Sequence, residues 1–211
     1  MAELEIICEP LGALGTNCYF VYKKDTKETI IFDPADNFMR IKRKIDEEEL
    51  KVVAVFLTHG HYDHFMAGEE VRKFYNVPIY VGANDYDLTK DATMNVSALF
   101  ASPITLEADK KVEDGEMLDI VGMKFKAINT PGHTKGGMCY YFYENGFLIS
   151  GDTLFCNSYG RYDLPTGNIK ELIHSIRDII LELPQDTIVL PGHGEDTTII
   201  DERNNNSQWR K

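Results

Sequence analysis

The heptapeptide at positions 58–64 reads Thr58-His59-Gly60-His61-Tyr62-Asp63-His64, and it directly follows the apolar run Val52-Val53-Ala54-Val55-Phe56-Leu57. A neutral imidazole is the commonest protein ligand for a transition metal, and a carboxylate supplies an oxygen ligand. In an extended segment, His59 and His61 project to the same side and can reach one ion. Asp63 and His64 are adjacent and diverge, which suits a second ion. A lone H-x-H pair would fit an ordinary polar loop, but four such residues after a buried-strand pattern favour a metal site.

Three further strand-like runs each end in a turn that is rich in Gly or Pro and carries one potential ligand. The turns are Thr130-Pro131-Gly132-His133, Gly151-Asp152 and Pro191-Gly192-His193-Gly194. In open α/β architectures, ligands bind outside the carboxyl ends of the strands, and Gly and Pro permit the tight turns needed there. Five of the six histidines fall in these turns or in the 58–64 stretch. This recurrence supports the interpretation as a metal site.

The composition is that of an ordinary globular protein, with 211 residues, 43% hydrophobic and 27% charged. The net charge of −12 argues against nucleic acid or an anionic membrane as a partner. No apolar run approaches the roughly 20 residues of a membrane span, and the N-terminus lacks the features of a signal peptide. We therefore expect a cytoplasmic protein with a small-molecule substrate. The oligomeric state stays open.

Hydrophobic patterning predicts one domain over residues 1–211, with two packed sheets covered by helices. Strands are predicted at 4–8, 17–22, 29–32, 52–57, 78–81, 116–121, 124–129, 138–143 and 147–150. Helices are predicted at 38–50, 66–75 and 169–183, and residues 84–100 are read as helical pieces broken near Asp91. His174 lies off the apolar stripe of the last helix, so we expect it to be exposed and not a ligand. The polar tail 201–211 is expected to be loosely ordered.

Asp33 ends the third predicted strand, near the start of the sheet. It could hold a ligand histidine in place from behind, because metal-binding histidines usually donate their second N–H to such a carboxylate. It could equally be an ordinary turn or helix-capping residue. The sequence favours neither alternative.

The motifs resemble those of the metallo-β-lactamase superfamily and, within it, the glyoxalase II-like hydrolases. The matching segments occur in the family's order, at 59–64, 131–134, 151–155 and 191–194. The resemblance implies an α/β fold of the αββα sandwich type, in which two mixed sheets are covered by helices. It also implies that the site lies along one edge of the two sheets.

The same resemblance implies a ligand set for two divalent metal ions. The first ion would be held by His59, His61 and His133, and the second by Asp63, His64 and His193, with Asp152 bridging the two. Zinc is the first expectation, and iron or manganese suits the same ligands. In thiolester hydrolases of the family a metal-bridging hydroxide attacks the acyl carbonyl, so no separate catalytic side chain is assigned. The implied substrate is an acyl-thiol such as a hydroxyacyl-glutathione-like conjugate.

Residues 158–167 resemble the short, single-domain bacterial glyoxalase II-like proteins. In relatives a Lys or Arg after the glycine of this segment contacts the substrate, which places a substrate-binding role on Arg161. The alternative for Arg161 is a surface ion pair.

Other activities of the same fold remain open at the level of sequence. The closest alternative is a persulfide dioxygenase, which would use one iron held by His59, His133 and Asp152, and a lactonase is a weaker alternative. A nuclease is disfavoured by the acidic charge. Flavodiiron proteins have a Glu in place of His61, and a structural zinc site would be closed by four ligands, often including cysteine.

Overall fold

Two six-stranded sheets dominate residues 3–207, the part of the chain that this computed structural model describes. The first sheet has, in spatial order, β1 (Leu4–Leu11), β2 (Thr16–Lys23), β3 (Glu28–Phe32), β4 (Lys51–Phe56), β5 (Ile79–Gly82) and β6 (Lys110–Val112). The second has β14 (Thr197–Thr198), β13 (Ile188–Pro191), β10 (Phe147–Gly151), β9 (Met138–Phe142), β8 (Met123–Asn129) and β7 (Met117–Ile120). A small ribbon joins β11 (Leu154–Phe155) to β12 (Ser158–Tyr159).

An aromatic core lies between the two sheets. Phe32 from the first sheet contacts Phe125 and Tyr140 from the second, with ring centroids 6.1 and 5.3 Å apart. Such tilted and edge-on pairs add to the free energy gained by burying the rings. The hydroxyl of Tyr140 donates a hydrogen bond of 2.8 Å to the carbonyl of Leu57, one residue before the 58–64 stretch. The core therefore fixes the edge of the first sheet at which that stretch begins.

Helices cover the outer faces of both sheets. On the first sheet lie α1 (Phe38–Glu47) and α2 (Gly68–Tyr75), and α1 presents Ile41 and Ile45 to the core at an i, i+4 spacing. On the second sheet lies α4 (Ile169–His174), whose Leu172 is buried against β9 and β10. The short α3 (Ser97–Phe100) and α5 (Ile199–Asn205) complete the helices of the described region. These four layers form an αββα sandwich, which confirms the expected fold class.

Two local expectations were wrong. The predicted helix 169–183 is α-helical only to His174, and it continues as a π-helical turn at Ser175–Ile179 and a 3₁₀ turn at Ile180–Glu182. The apolar stripe survives this irregularity, because Leu172, Ile176 and Ile180 are all buried.

The expectation of a loosely ordered tail fails for residues 201–205, which belong to α5. Thr198 caps this helix by accepting a hydrogen bond from the backbone N–H of Asp201, and the buried Glu202 accepts one from Thr197. These polar contacts hold a segment that has little apolar patterning. Residues 208–211 of that prediction lie outside the described residues.

The carboxyl ends of five strands meet along one edge of the sandwich. β3 runs parallel to β4 in the first sheet, and β10 runs parallel to β13 in the second. Their ends, together with that of β8, lead directly into the turns that carry the candidate ligands. No helix within residues 3–207 has the length and apolarity needed to cross a membrane.

Candidate metal centre

Three histidine rings meet in a triangle at this edge. Nε2 of His59 lies 3.0 Å from Nδ1 of His61, and that atom lies 2.9 Å from Nε2 of His133. The third side, between Nε2 of His133 and Nε2 of His59, measures 3.2 Å. All three residues are buried. Their three nitrogens lie close enough to share one small cation.

A second group combines Asp63, His64 and His193. Oδ2 of Asp63 lies 3.5 Å from Nε2 of His64 and 3.5 Å from Nε2 of His193. These distances are too long for ordinary hydrogen bonds, but the three donor atoms are near enough to surround an ion. The diverging side chains of Asp63 and His64 thus face a second position, as the sequence suggested.

Asp152 lies between the two groups. Its Oδ1 is 3.4 Å from Nε2 of His64, and its Oδ2 is 3.5 Å from Nε2 of His133 and 3.6 Å from Nε2 of His193. Gly192 leaves room for this carboxylate, because a Cβ at position 192 would lie 2.2 Å from Oδ1 of Asp152. The carboxylate therefore faces both groups at once.

In His64, His133 and His193, the ring nitrogen Nδ1 points away from the centre and makes a hydrogen bond. This bond determines that the other nitrogen, Nε2, faces the centre. Nδ1 of His64 donates to Asp33, Nδ1 of His133 to the carbonyl of Arg161 at 2.6 Å, and Nδ1 of His193 to the carbonyl of Leu14 at 3.2 Å. A neutral ring that donates through Nδ1 presents the lone pair of Nε2. These lone pairs converge on the centre, which is the form in which histidine binds metals.

His59 follows the same rule through an intermediate hydroxyl. Thr58 donates its hydroxyl hydrogen to Oδ2 of Asp33 at 2.7 Å, so its oxygen is left to accept from Nδ1 of His59 at 3.2 Å. Asp33 also accepts from the backbone N–H of Thr58 and, at 2.9 Å, from Nδ1 of His64. Of the two alternatives kept for Asp33, the contact with a candidate ligand histidine is the one observed.

Burial and the neighbouring charges set the protonation of the centre. Burial lowers the pKa of His59 and His61, and the adjacent histidines lower it further. Burial also opposes protonation of His64, but Asp63, Asp152 and Asp33 outweigh it and raise the pKa of His64 to about 10. The centre thus joins two buried histidines that resist protonation, His59 and His61, to a carboxylate-rich group that attracts positive charge. A metal ion competes with protons for these positions.

Two buried polar atoms without hydrogen-bond partners indicate whether divalent ions suit this donor set. Nε2 of His64 and Oδ1 of Asp152 are buried and have no hydrogen-bond partner among the described residues. A buried polar atom left in that state costs on the order of 1–3 kcal/mol. Both atoms face the space between the donors, and imidazole and carboxylate ligands suit zinc, iron and manganese. The donor set fits two divalent ions.

Asp85 is a part of the centre that the sequence analysis missed. This buried carboxylate accepts hydrogen bonds from the backbone N–H of Gly60 (2.9 Å), the hydroxyl of Thr134 (2.7 Å) and the backbone N–H of Gly136 (2.7 Å). Burial raises its pKa, although the three hydrogen bonds oppose that shift. Asp85 thereby ties the turn between His59 and His61 to the turn after His133.

The amino end of β2 holds the second group of donors in a similar way. The hydroxyl of Thr16 donates to Oδ2 of Asp63 at 3.0 Å, and the backbone N–H of Asn17 donates to the carbonyl of Gly192 at 2.7 Å. Asn17 also donates through its side chain to the carbonyls of Pro191 and Gly194. No metal-ligand spacing marks these residues, so they could not be identified from the sequence.

Arg161 lines the cavity above the centre, but its guanidinium faces a neighbouring carboxylate. Nε and Nη2 of Arg161 bind the two oxygens of Asp163 at 2.7 and 2.9 Å, and this pairing holds the pKa of Asp163 at about 2. The surface ion pair considered for Arg161 is therefore present. His174 is exposed and pairs with Asp178 at 2.8 Å, apart from the centre.

The cavity above the two groups has a volume of about 460 Å³. Its polar side chains are those of His61, Asp63, His133, Asp152, Arg161 and His193. The opposite wall is mostly apolar and is formed by Ala13, Leu14, Tyr62, Val96, Phe100 and Leu164. A small molecule can therefore reach the candidate metal centre along an apolar surface.

Known proteins share both the sequence and the fold. The family model of the metallo-beta-lactamase superfamily matches residues 11–193. The probable metallo-hydrolase YqgX of Bacillus subtilis is 36% identical over 199 residues, which cover 93% of each chain. The hydroxyacylglutathione hydrolase GloC of Haemophilus influenzae is 33% identical over 208 residues, covering 97% of this chain and 96% of that protein.

Two solved structures agree closely with this one. The BLEG-1 B3 metallo-beta-lactamase has a TM-score of 0.94 at 37% identity, with 98% of this chain and 100% of that chain covered. TTHA1623, solved in a di-iron-bound form, has a TM-score of 0.85 at 31% identity, with 96% of this chain and 99% of that chain covered. The match to the family model and the identities over nearly full lengths agree with the site geometry. The chain belongs to the metallo-β-lactamase superfamily, and it is a metallo-hydrolase of that superfamily.

Proposed function

We propose that this protein is a two-metal hydrolase that cleaves the thiolester of a small acyl-thiol, such as a hydroxyacyl-glutathione-like conjugate. The position of Asp152 is the observation that carries the proposal, because its carboxylate faces two separate groups of nitrogen donors. The relative named as a hydroxyacylglutathione hydrolase supports the substrate class.

Two of the three donor groups at this edge support a division of the residues between two ions. His59, His61 and His133 would hold one ion, Asp63, His64 and His193 would hold the other, and Asp152, which also groups with His59 and His64, would serve both. Zinc is the metal we propose first. Iron or manganese could occupy the same ligands, and one similar structure carries two irons.

Two divalent ions, when bound, supply Lewis acidity and allow a nucleophile to form from water at neutral pH. The protein's own part is to keep the donor atoms fixed. Asp33 and the carbonyls of Leu14 and Arg161 each occupy the outer nitrogen of a ligand histidine, so no ring needs to reorient during turnover. The apolar residues that line the cavity can cover one side of a bound acyl group, and exclusion of water there would strengthen electrostatic interactions in the cleft.

A β-lactam is the second candidate substrate, because a similar solved structure is described as a B3 metallo-beta-lactamase. A lactone would meet the same centre. A mononuclear iron dioxygenase would need His59, His133 and Asp152 and would leave Asp63, His64 and His193 without a role. Because Asp63, His64 and His193 also form a group that can surround an ion, we favour the two-metal hydrolase, and a test for oxygen uptake distinguishes it from the dioxygenase.

An assay panel on the zinc-loaded protein tests the proposal. We expect hydrolysis of an acyl-thiol to exceed that of a lactone and a β-lactam in kcat/KM, without oxygen uptake. His61→Ala should abolish turnover, whereas His174→Ala, which changes an exposed histidine outside the centre, should leave it unchanged. A higher kcat/KM for the β-lactam, or turnover that consumes oxygen, would refute the proposed substrate class.

A further inference from the structure

A second cavity continues the first along the apolar wall. It has a volume of about 130 Å³ and shares five lining residues with the larger cavity: Ala13, Leu14, Tyr62, Asp63 and Phe100. Leu11, Met66 and Ala101 extend its apolar lining beyond the shared part. The two cavities therefore adjoin, and the smaller one, which we call the extension, is lined by these apolar side chains together with Thr16 and Asp36.

Leu14 and Phe100 stand at the junction of the two cavities, and each remains 58% exposed. Large apolar side chains that line a cleft in this way are covered when an apolar ligand group binds between them. Burial of such a group is favourable in proportion to the apolar area removed from water.

Both residues sit on segments that are tied to the candidate ligands. The carbonyl of Leu14 accepts the hydrogen bond from Nδ1 of His193. Phe100 ends α3, which begins directly after Val96, and the carbonyl of the preceding Asn95 accepts from the backbone N–H of Tyr62 at 3.1 Å. Tyr62 stands between two of the metal-binding positions. The apolar walls are therefore held in a fixed position relative to the centre.

Val96 belongs to the same wall and adopts φ 61°, a left-handed conformation that is costly for a β-branched residue. Val121, in the exposed hairpin turn after β7, adopts φ 48°, so this conformation is not confined to the cleft. Val96 is buried and lines the larger cavity.

The charge of the extension disfavours an anionic group there. Asp36 lines the smaller cavity and is not a candidate metal ligand, and no Lys or Arg among the described residues lines that cavity. Arg161 lines the larger cavity only, and its guanidinium donates to both carboxylate oxygens of Asp163. A substrate chain that enters the extension thus meets apolar side chains and the carboxylate of Asp36.

We infer that Leu14 and Phe100 form a specificity subsite for an uncharged, apolar chain of several carbons, attached to either the acyl carbon or the sulfur of the substrate. This inference rests on the proposed thiolester hydrolysis. It narrows the substrate class from acyl-thiols in general to those with an apolar arm.

Two substrate series locate the apolar arm on the zinc-loaded protein. One lengthens the acyl chain from two to eight carbons on a constant thiol, and the other lengthens an S-alkyl chain on a constant acetyl group. We expect kcat/KM to rise in one series by up to about fourfold per methylene, as the transfer of a CH₂ group from water predicts. A terminal carboxylate on the chain should cancel the gain.

Leu14→Ser and Phe100→Ser should flatten that dependence on chain length. Leu99→Ser is the matched control, because Leu99 belongs to the same short helix as Phe100, is 62% exposed and does not line either cavity. This control variant should keep the full dependence of kcat/KM on chain length. Equal slopes in the parent protein and in the Leu14 and Phe100 variants would overturn the inference.

Binding of non-hydrolysable S-alkyl thioethers to the metal-free protein, measured by calorimetry, separates the subsite from the reaction. Affinity that rises with chain length and falls in the Leu14 and Phe100 variants supports the subsite, even if no thiolester is cleaved. Hydrolysis with no dependence on chain length in either series supports the proposed function and refutes the subsite.

Discussion

Asp33 and His64 are joined by a buried hydrogen bond of 2.9 Å between Oδ2 and Nδ1. The same carboxylate accepts from the hydroxyl of Thr58, whose oxygen is in turn 3.2 Å from Nδ1 of His59. One side chain at the end of β3 thus orients a histidine in each of the two donor groups. Asp33 itself adopts φ 49°, in the left-handed region that Asp enters more readily than most residues.

Replacement of Asp33 should therefore weaken metal binding without removing a ligand. We expect Asp33→Ala to reduce zinc affinity by about 10- to 100-fold, as is typical when the partner of a metal-bound histidine is lost. Asp33→Asn keeps one acceptor oxygen and should lose less. Competition with a chromophoric chelator measures both affinities on the metal-free protein. Wild-type affinity in the Ala variant would show that Asp33 is only a turn residue.

Loss of the Asp85 carboxylate should lower the free energy of unfolding. Asp85→Ala leaves two backbone N–H groups and the hydroxyl of Thr134 without their buried acceptor, at a cost on the order of 1–3 kcal/mol each. Because the substitution also removes the desolvation cost of the buried carboxylate, we expect a smaller net loss, about 2–5 kcal/mol, in denaturant unfolding of the metal-free protein. Asp87→Ala, which removes a carboxylate that is exposed and pairs with Lys90, should cost less than about 0.5 kcal/mol. Similar losses in both variants would contradict the linking role of Asp85.

Metal binding should require glycine at position 192, because any side chain there would meet two of the candidate ligands. In Gly192→Ala the new Cβ would lie 2.2 Å from Oδ1 of Asp152 and 2.8 Å from Cε1 of His64, so one of these groups must move. We expect less than two bound zinc ions per chain by elemental analysis, with a matching loss of turnover.

Gly146→Ala serves as the control for that change. Gly146 has φ 73° and open space around its Cβ position, so the substitution strains the backbone of a remote hairpin turn. It should cost about 1 kcal/mol of stability and leave metal content unchanged. Equal metal content in the Gly192 and Gly146 variants would show that Asp152 tolerates the displacement.

Arg161 should have a smaller effect on substrate binding than a free guanidinium would. The carboxylate of Asp163 already accepts two hydrogen bonds from the guanidinium of Arg161. An anionic substrate group must therefore displace that carboxylate before it can bind there. We expect Arg161→Ala to raise KM for an anionic acyl-thiol by less than about tenfold, with kcat unchanged. Asp163→Asn should lower KM for the same substrate by freeing the guanidinium. If neither variant changes KM, Arg161 has no contact with the substrate.

The sequence was most informative where apolar runs end in turns that carry ligands. The strand periodicity and the Gly and Pro turns located all seven candidate metal-binding residues at one edge, because parallel strands bring their carboxyl ends together. His174 could be set aside for a similar reason, since it lies off the apolar stripe of its helix.

Contacts made through the backbone could not be predicted from the sequence. Asp85 binds two N–H groups that no side-chain pattern marks, and Leu14 orients His193 through a carbonyl across 179 positions of chain. The carbonyl of Arg161, which orients His133, was missed although the residue itself was selected for its guanidinium. The helix α5 was missed because a cap and a buried Glu202 hold it in place of an apolar stripe.

Titration of the metal-free protein with zinc, with thiolester hydrolysis followed at each addition, tests the two-metal hydrolase most directly. Seven ligand side chains in two groups joined by Asp152 predict that activity reaches its maximum at two zinc ions per chain. Chelation should abolish the activity, and renewed addition of zinc should restore it. Full activity at one metal ion per chain, or turnover that requires iron and oxygen, would contradict a two-metal hydrolase.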